Sequence, residues 1–458
     1  MALNIVILAA GQGKRMNSSI PKVLHKLAGR EMLFHIIDNC NKLNPQKIII
    51  VYGHLGNQVV EAVQSNYKTD NIIFVEQSEQ LGTAHAIKTT LPYLDSDASV
   101  LVLCGDTPLI QLETLSNIVK LGTTNNLILL TTKLDNPVGY GRIIRDNNHQ
   151  VLKIVEDKDA TSEQRSIKEV NSAIYLFNSK YLTALIPLID NNNHQQEFYL
   201  TDIIDLAIKN NITITPLLVD CNQVMGVNNK LQLEFAERLY QEKIANQLLE
   251  KGLGLSDKKR IDIRGNLLFG KDCFIDINCI FIGNVTLGDN VKIMANCIIK
   301  DSIIASDSQI KANSIIENAK ISHNVFVGPF ARVRPDTNIE AHSHIGNFVE
   351  IKKSNIGHHS KVNHLTYIGD CDIGHTVNIG AGSVTCNYDG INKHKTIIGD
   401  NVFVGSGSML VAPVELGSGA IIGAGSVITK DTPKDELTVA RAKQITVVGW
   451  KKKYRDNN

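Results

Sequence analysis

The chain has 458 residues, of which 43% are hydrophobic and 20% charged, and its formal net charge is +1. That length fits two or three domains with an ordinary globular core. The balanced charge leaves no electrostatic footprint for nucleic acid or an anionic membrane, and no apolar run is long enough to span a bilayer.

The opening segment MALNIVILAAGQGKRM lacks the pattern of a secretory signal, because its apolar stretch is short and glycines follow it. A cytoplasmic protein is expected. The cysteines Cys40, Cys104, Cys221, Cys273, Cys279, Cys297, Cys371 and Cys386 form no CxxC pair. They read as small buried residues, with neither disulfides nor zinc.

The first half reads as α/β. NIVILAAG is a buried strand running into a glycine turn. Further apolar strands lie at 47–53 and 99–106, with helical patterns between them, as at 32–43. Strands alternating with helices imply a mostly parallel sheet. The turn after the first strand carries Gly11, Gly13 and Arg15, and Pro21-Lys22 follows. Backbone N–H groups in such a turn can approach phosphate, and two cations beside them suit a triphosphate. Asp106 ends the 99–106 strand, at the edge where α/β proteins bind ligands. By position alone it serves equally as a helix cap, a turn residue or a Mg²⁺ ligand.

Residues 229–252 form a long helical pattern with charged faces, ended by Gly252. It is expected to link a domain at 1–228 to one at 253–458.

From about residue 262 an aliphatic residue recurs every six positions, with occasional fives, through Leu287, Ile293, Ile299 and onward to Ile379. It resumes from Ile398 to Ile428. Such a period fits neither an α-helix nor a two-sided sheet. It fits short strands joined by corners, each coil stacking on the last around an aliphatic column, which is a parallel β-helix. Glycine often follows the aliphatic residue, as at Gly346, Gly380 and Gly405, and is expected to permit the corner. The polar stretch 386–396 interrupts the repeat and must project as a loop, and the tail after Lys430 loses the period.

Polar residues cluster within a few coils: Arg332 and Arg334, then Glu350, Lys352 and Lys353, then His364. Six-residue coils also serve as plain scaffolds, but these polar clusters argue for a site. His342, His344, His358 and His359 lack a carboxylate or thiolate at ligand spacing, which argues against a metal there.

The motifs LAAGQGKRM, PK, QLGTAHA, GD after a strand, and GYGR occur in the order of the sugar-nucleotide pyrophosphorylase family. Taken with the six-residue repeats, the chain from residue 3 to about 450 resembles the bacterial bifunctional N-acetylglucosamine-1-phosphate uridyltransferase/glucosamine-1-phosphate acetyltransferases. The resemblance implies a Rossmann-like nucleotidyltransferase domain, a linker helix and a left-handed parallel β-helix of hexapeptide repeats. It implies synthesis of UDP-N-acetylglucosamine from glucosamine 1-phosphate, acetyl-CoA and UTP, through N-acetylglucosamine 1-phosphate, with Mg²⁺. That product supplies peptidoglycan and lipopolysaccharide.

For the uridylyl site, the resemblance places Leu8, Ala9, Ala10, Gly11, Gln77, Gly82 and Thr83 against the nucleotide, with Cys104 and Gly105 beside them. Arg15 and Lys22 would stabilise phosphate charge, Asp106 and Asn228 would bind Mg²⁺, and Gly141, Glu156 and Asn171 would hold the sugar. The sequence departs from the family at Lys14, where threonine is common, and at Cys104, where tyrosine is common. For the acetyl site, His364 would be the general base and Glu350 would stabilise its protonated ring. Arg334, Lys352, Tyr367 and Asn378 would hold the sugar phosphate. Ala381, Asn387, Tyr388, Ser406, Ala424 and Arg441 would bind acetyl-CoA, with Ser406 near the developing oxyanion. A homotrimer is also implied. A single-function nucleotidyltransferase, or a regulator without catalysis, is disfavoured because Lys22, Asp106, His364 and Arg441 are all present.

Overall fold

The computed structural model describes residues 2–122 and 126–450. The chain divides into two compact units at Tyr240/Gln241. That division falls inside the helix Lys230–Glu250, which occupies the stretch expected to link the domains. Ala236 packs with Leu27, Met32 and Val227 in the first unit, while Ala245 and Leu248 join the core of the second.

The first unit is built on a sheet whose strands run in the order Thr213–Leu218, Asn126–Lys133, Glu169–Asn178, Ser99–Cys104, Leu3–Leu8, Lys47–Tyr52, Ile72–Glu76. All neighbours are parallel except Glu169–Asn178, which runs against both of its partners. The hairpin Arg142–Arg145 and Val151–Val155 attaches to that reversed strand. Alternate side chains feed two cores. Val6, Ile49, Val51, Val100 and Val102 enter one; Ile5, Ile7, Ile48, Ile50, Leu101 and Leu103 enter the other. Burial on both faces is why these strands read as continuous apolar runs.

The second unit is a parallel β-helix. Adjacent coils pair at offsets of 17 or 18 residues, as in Lys292 with Gln309 and Phe326 with His344. Every aliphatic position of the six-residue repeat named above is buried in one continuous core. Each such side chain contributes about 1.5–3 kcal/mol of burial relative to exposure. Across the projecting loop the offset rises to 25, with Asn378 paired to Phe403, and the stack continues without a break in register.

The glycines after the aliphatic residues do a different job from the one expected. Gly346, Gly380 and Gly405 do not have positive φ. They are required by close approach: a Cβ on Gly346 would lie 1.9 Å from the Asn363 carbonyl oxygen of the next coil. The left-handed corners fall two residues later, at Gly382, Gly407 and Gly425. Elsewhere Asn, Asp, His and even Phe348 and Leu365 take that conformation.

All eight cysteines are free. Among the described residues no helix is long and apolar enough to cross a membrane.

Candidate active sites

Leu8, Tyr52, Glu76 and Cys104 end parallel neighbours on one edge of the first sheet. The backbone continues the ladder just past that edge. Ala9 donates to Val51, Gly105 to Leu8, and Gln77 to Tyr52, each at 2.8 Å. The glycine turn, the Gly105-Asp106 turn and Gln77 are therefore held side by side. Gly13 has φ +61°, and a Cβ there would lie 2.8 Å from Cβ of Lys22. Beneath Gly11 the nearest neighbour for an added Cβ is Nζ of Lys22, at 3.9 Å. The turn thus lies directly on Lys22.

Nζ of Lys22 donates to Oδ2 of Asp106 at 2.5 Å and to Oδ1 of Asn228 at 3.1 Å. The two oxygens converge on one cationic point. Asp106 is not the cap of the helix Leu112–Leu121, whose N-cap is Gln111. Its carbonyl accepts from Val227 at 2.8 Å, which fastens the Gly226–Asn228 segment to it. Gly226 faces the same place: a Cβ there would touch Nδ2 of Asn228 at 3.5 Å and Oδ2 of Asp106 at 3.6 Å. Two hard oxygen donors and a bare glycine fit Mg²⁺, which takes few protein ligands and completes its shell from phosphates and water. Among the described residues no group of three or more His, Cys, Asp or Glu is arranged to hold a metal ion.

Buried Gln77 donates from Nε2 to the Gly82 carbonyl at 3.0 Å. Gly82 has φ +118°, and a Cβ there would collide with the Phe198 backbone at 2.5 Å. Thr83 accepts from the Leu200 backbone at 3.0 Å. The QLGT turn is clamped rather than loose. Asn171 donates from its backbone to Gly141 at 2.9 Å, and a Cβ on Gly141 would lie 3.3 Å from Oε1 of Glu156. The three residues expected to hold a sugar are thus neighbours. Burial pushes the Glu156 carboxyl above its ordinary range, against a hydrogen bond from Thr201 at 3.1 Å, and the charges of Asp202, Asp159 and Asp157 add to the rise.

Tyr140, between the glycines of GYGR, lies close enough to Asp106 to feel its charge. Its hydroxyl pKa is raised first by burial and then by the charge of Asp106. Sequence reading named its motif without giving it a role. Cys104 points its thiol at the Ala173 carbonyl, 3.8 Å away. Its pKa is pushed up to about 12, first by burial and then by Asp106, so it adds no charge at neutral pH. Arg15 stands exposed on the short turn Lys14–Met16.

In the β-helix, parallel register places His364 on the rung after Asn347 and Asn378 on the rung after Lys361. The corner above His364 is a column of carbonyls. Gly382 donates to His364 at 3.2 Å, Gly407 to Ala381 at 2.7 Å, and Gly425 to Ser406 at 2.8 Å. Nη1 of Arg441 closes the series on Ala424 at 2.5 Å. Four residues expected to meet acetyl-CoA therefore continue one line from the histidine. The line is lined by Gly, Ala and Ser, which leaves it smooth. Ser406 lies two rungs from His364, roughly 10 Å at the spacing of β-strands. Within one chain that spacing separates the Ser406 side chain from the imidazole.

Glu350 and His364 make their hydrogen bonds with other partners. Oε1 of Glu350 accepts from Nη1 of Arg334 at 2.8 Å, while Nδ1 of His364 meets Oδ1 of Asn347 at 3.2 Å. Tyr367 stacks on Glu350 in the ladder. Lys352 is lowered from its ordinary pKa, chiefly by a contact from Lys393 and further by the Arg334 charge. Lys393 comes from the projecting loop, where it bridges to Tyr388. Sequence reading missed it, because nothing in the spacing says that the loop folds back over Lys352. The loop is internally tied. Asp389 accepts from the Ile391 and Asn392 backbones and from His394, which hold its carboxyl down at about 2. Asn387 anchors it by donating to Asp370 at 2.6 Å.

Comparison with known proteins decides what these two sites belong to. The Nucleotidyl transferase family matches residues 4–216, the Bacterial transferase hexapeptide (six repeats) family matches 395–430, and the GMPPB C-terminal domain matches 263–334. The bifunctional protein GlmU of Marinobacter nauticus is 50% identical over 98% of both chains. That of Chromobacterium violaceum is likewise 50% identical over 98% of each. That of Nitrosospira multiformis is 49% identical over 98% of this chain and 97% of its own. The chain belongs to the bifunctional GlmU family. Like its relatives it is a bifunctional transferase, making UDP-N-acetylglucosamine by acetyl transfer and uridylyl transfer.

Proposed function

We propose that the two activities divide between the two sites, with residue roles as follows. In the first unit, an oxygen of N-acetylglucosamine 1-phosphate attacks the α-phosphorus of UTP in line, and the bond to pyrophosphate breaks. The attacking oxygen is already ionised at neutral pH, so no general base is needed. The turn from Leu8 to Gly13 meets the nucleotide, with Gln77, Gly82 and Thr83 beside it. Lys22 and Arg15 neutralise the phosphates. Asp106 and Asn228 hold Mg²⁺, which supplies further charge neutralisation. Gly141, Glu156 and Asn171 hold the sugar.

In the second unit, Arg334, Lys352 and Lys393 gather the phosphate of glucosamine 1-phosphate, with Tyr367 and Asn378 placing the ring. His364 takes a proton from the sugar nitrogen as that nitrogen attacks the thioester carbonyl of acetyl-CoA. Coenzyme A leaves as its thiolate and takes up a proton. Ala381, Ser406, Ala424 and Arg441 line its arm, and Asn387 and Tyr388 meet it from the loop. Glu350 acts by steadying Arg334.

We also assign the enzyme to the cytoplasm, where UTP and acetyl-CoA are made, and to a homotrimer. The exposed ridge Phe330, Phe348 and Leu365 supports the assembly, because a row of large apolar side chains left in solvent suits a contact between copies.

The observation that carries the division is the convergence of Lys22, Asp106 and Asn228 in one unit and the His364 column in the other. The test is an assay of purified protein with glucosamine 1-phosphate, acetyl-CoA, UTP and Mg²⁺. His364→Ala should abolish acetyl transfer and spare uridylyl transfer, and Asp106→Ala should do the reverse. Equal damage to both activities in either variant would sink the division.

A further inference from the structure

A general base of histidine type needs one ring nitrogen bare and aimed at the substrate, and the hydrogen bond at the other nitrogen decides which one that is. In this structure the decision falls to Asn347. Its Oδ1 lies 3.2 Å from Nδ1 of His364. An amide oxygen only accepts, so Nδ1 carries the hydrogen and Nε2 keeps the lone pair. We propose that Asn347 is the positioning residue of the acetyl-transfer site, holding His364 in the Nδ1–H tautomer with Nε2 free to take the proton. This rests on His364 being the base.

The backbone makes the contact stable. Asn347 and His364 are register partners on adjacent coils, in the strands His344–Asn347 and Lys361–His364. One residue before them, Gly346 and Asn363 meet so closely that a Cβ on Gly346 would lie 1.9 Å from the Asn363 carbonyl oxygen. That approach brings the two side chains into line, one rung apart. One residue after them, Phe348 and Leu365 both take left-handed φ, +56° and +48°. The Leu365 N–H donates to the Asn347 carbonyl at 3.2 Å. The corner therefore turns in the same way on both coils, and the pair sits at matching places in it. Thr366 pins the other side of His364 by donating to its carbonyl at 2.6 Å.

The carboxylate expected to serve His364 is not available to do this work. Glu350 is engaged with Arg334 at 2.8 Å. A neutral acceptor at Nδ1 also has a chemical consequence. It fixes the tautomer without placing a carboxylate charge beside the ring.

The test uses the full-length enzyme with ¹⁵N-labelled histidine. NMR of the wild type should show a single His364 tautomer with hydrogen on Nδ1, and Asn347→Ala should show a mixture. Acetyl-transfer kcat in Asn347→Ala should fall about 10- to 100-fold, the range typical of residues that orient a working histidine, with little change in KM and with uridylyl transfer intact. Asn347→Asp restores an acceptor and should recover most of kcat, with the acid limb of the rate profile moved to higher pH because a carboxylate favours the charged ring. An unchanged tautomer or an unchanged kcat in Asn347→Ala overturns the proposal, as does failure of Asn347→Asp to recover activity while its circular dichroism and thermal unfolding match the wild type. His364→Ala separates the two layers: retained acetyl transfer there removes the base itself, whereas loss there with full activity in Asn347→Ala removes only the positioning role.

Discussion

Nζ of Lys22 lies 2.5 Å from Oδ2 of Asp106, although 84 residues separate them along the chain. The ammonium and the carboxylate reach each other from two different turns at the same sheet edge. With Asn228 they form a small polar knot in which one cation satisfies two oxygens. The same two oxygens are the proposed Mg²⁺ ligands. Lys22 is thus poised between two partners of the same sign: the carboxylate it now holds and the phosphates it is proposed to meet.

Gly13 is the point at which this knot is most easily broken. Its φ of +61° disfavours any side chain, and a Cβ would press on Lys22 at 2.8 Å, against the stem rather than its flexible end. Gly13→Ala therefore displaces Lys22 and strains the turn together. A displacement of about 1 Å in a positioning group costs on the order of 100-fold in rate. The expected result is a fall of that size in uridylyl-transfer kcat/KM with acetyl transfer unchanged, measured on the same preparation.

The path from sequence to fold was direct where one residue type meets one environment. Val327, Ile345 and Val362 repeat because each fills the same inward slot on its coil, and all are buried. What the spacing could not say is which coil-mates touch. Asn347 and His364 meet at an offset of 17, but so do pairs outside the proposed site, such as Asn338 and Asn355. The glycines misled for a related reason. A glycine needed for close approach and one needed for a left-handed turn are the same letter, and only the neighbouring coil tells Gly346 from Gly382. In the first unit the resemblance gave Lys22 a phosphate role and Asp106 and Asn228 a metal role, and the structure brings the three side chains together. Their convergence depends on loops meeting across the sheet edge, which periodicity does not encode.

Lys393 offers a test of the loop. Its contact is the first cause of the lowered pKa of Lys352, ahead of the Arg334 charge, and Asp370 opposes the shift. Like charges held together make a place where an anion can be bound. Lys393→Ala removes one charged contact to the sugar phosphate and should raise KM for glucosamine 1-phosphate about 10-fold, or ~1.4 kcal/mol. The alkaline limb of binding should move to higher pH in the same variant, because Lys352 loses its nearest competitor for the proton. Isothermal titration across pH reads both effects, and an unchanged limb would remove Lys393 from contact with Lys352.

Asp202 carries a cost that its position explains. Burial comes first and the charges of Asp190, Asp159 and Asp205 follow, raising its pKa from 3.8 to about 6. It is the N-cap of the helix Ile203–Lys209, yet its side chain makes no capping hydrogen bond there to offset the burial. A carboxyl raised in the folded state keeps its proton where the unfolded chain has already lost it. The folded state then binds more protons between pH 3.8 and about 6, so stability falls as pH rises through that window and stays lowered above it. Asp202→Asn removes the titration while keeping the shape. Partial exposure and solvent screening discount the effect to about 1 kcal/mol, or about 2 to 4 °C in Tm for a unit of this size. The gain should appear at pH 7.5 and vanish below about pH 4, where the native carboxyl is protonated in both states. Thermal unfolding of the two proteins across that range checks it, and a gain that is the same at both ends would place the effect in packing instead of charge.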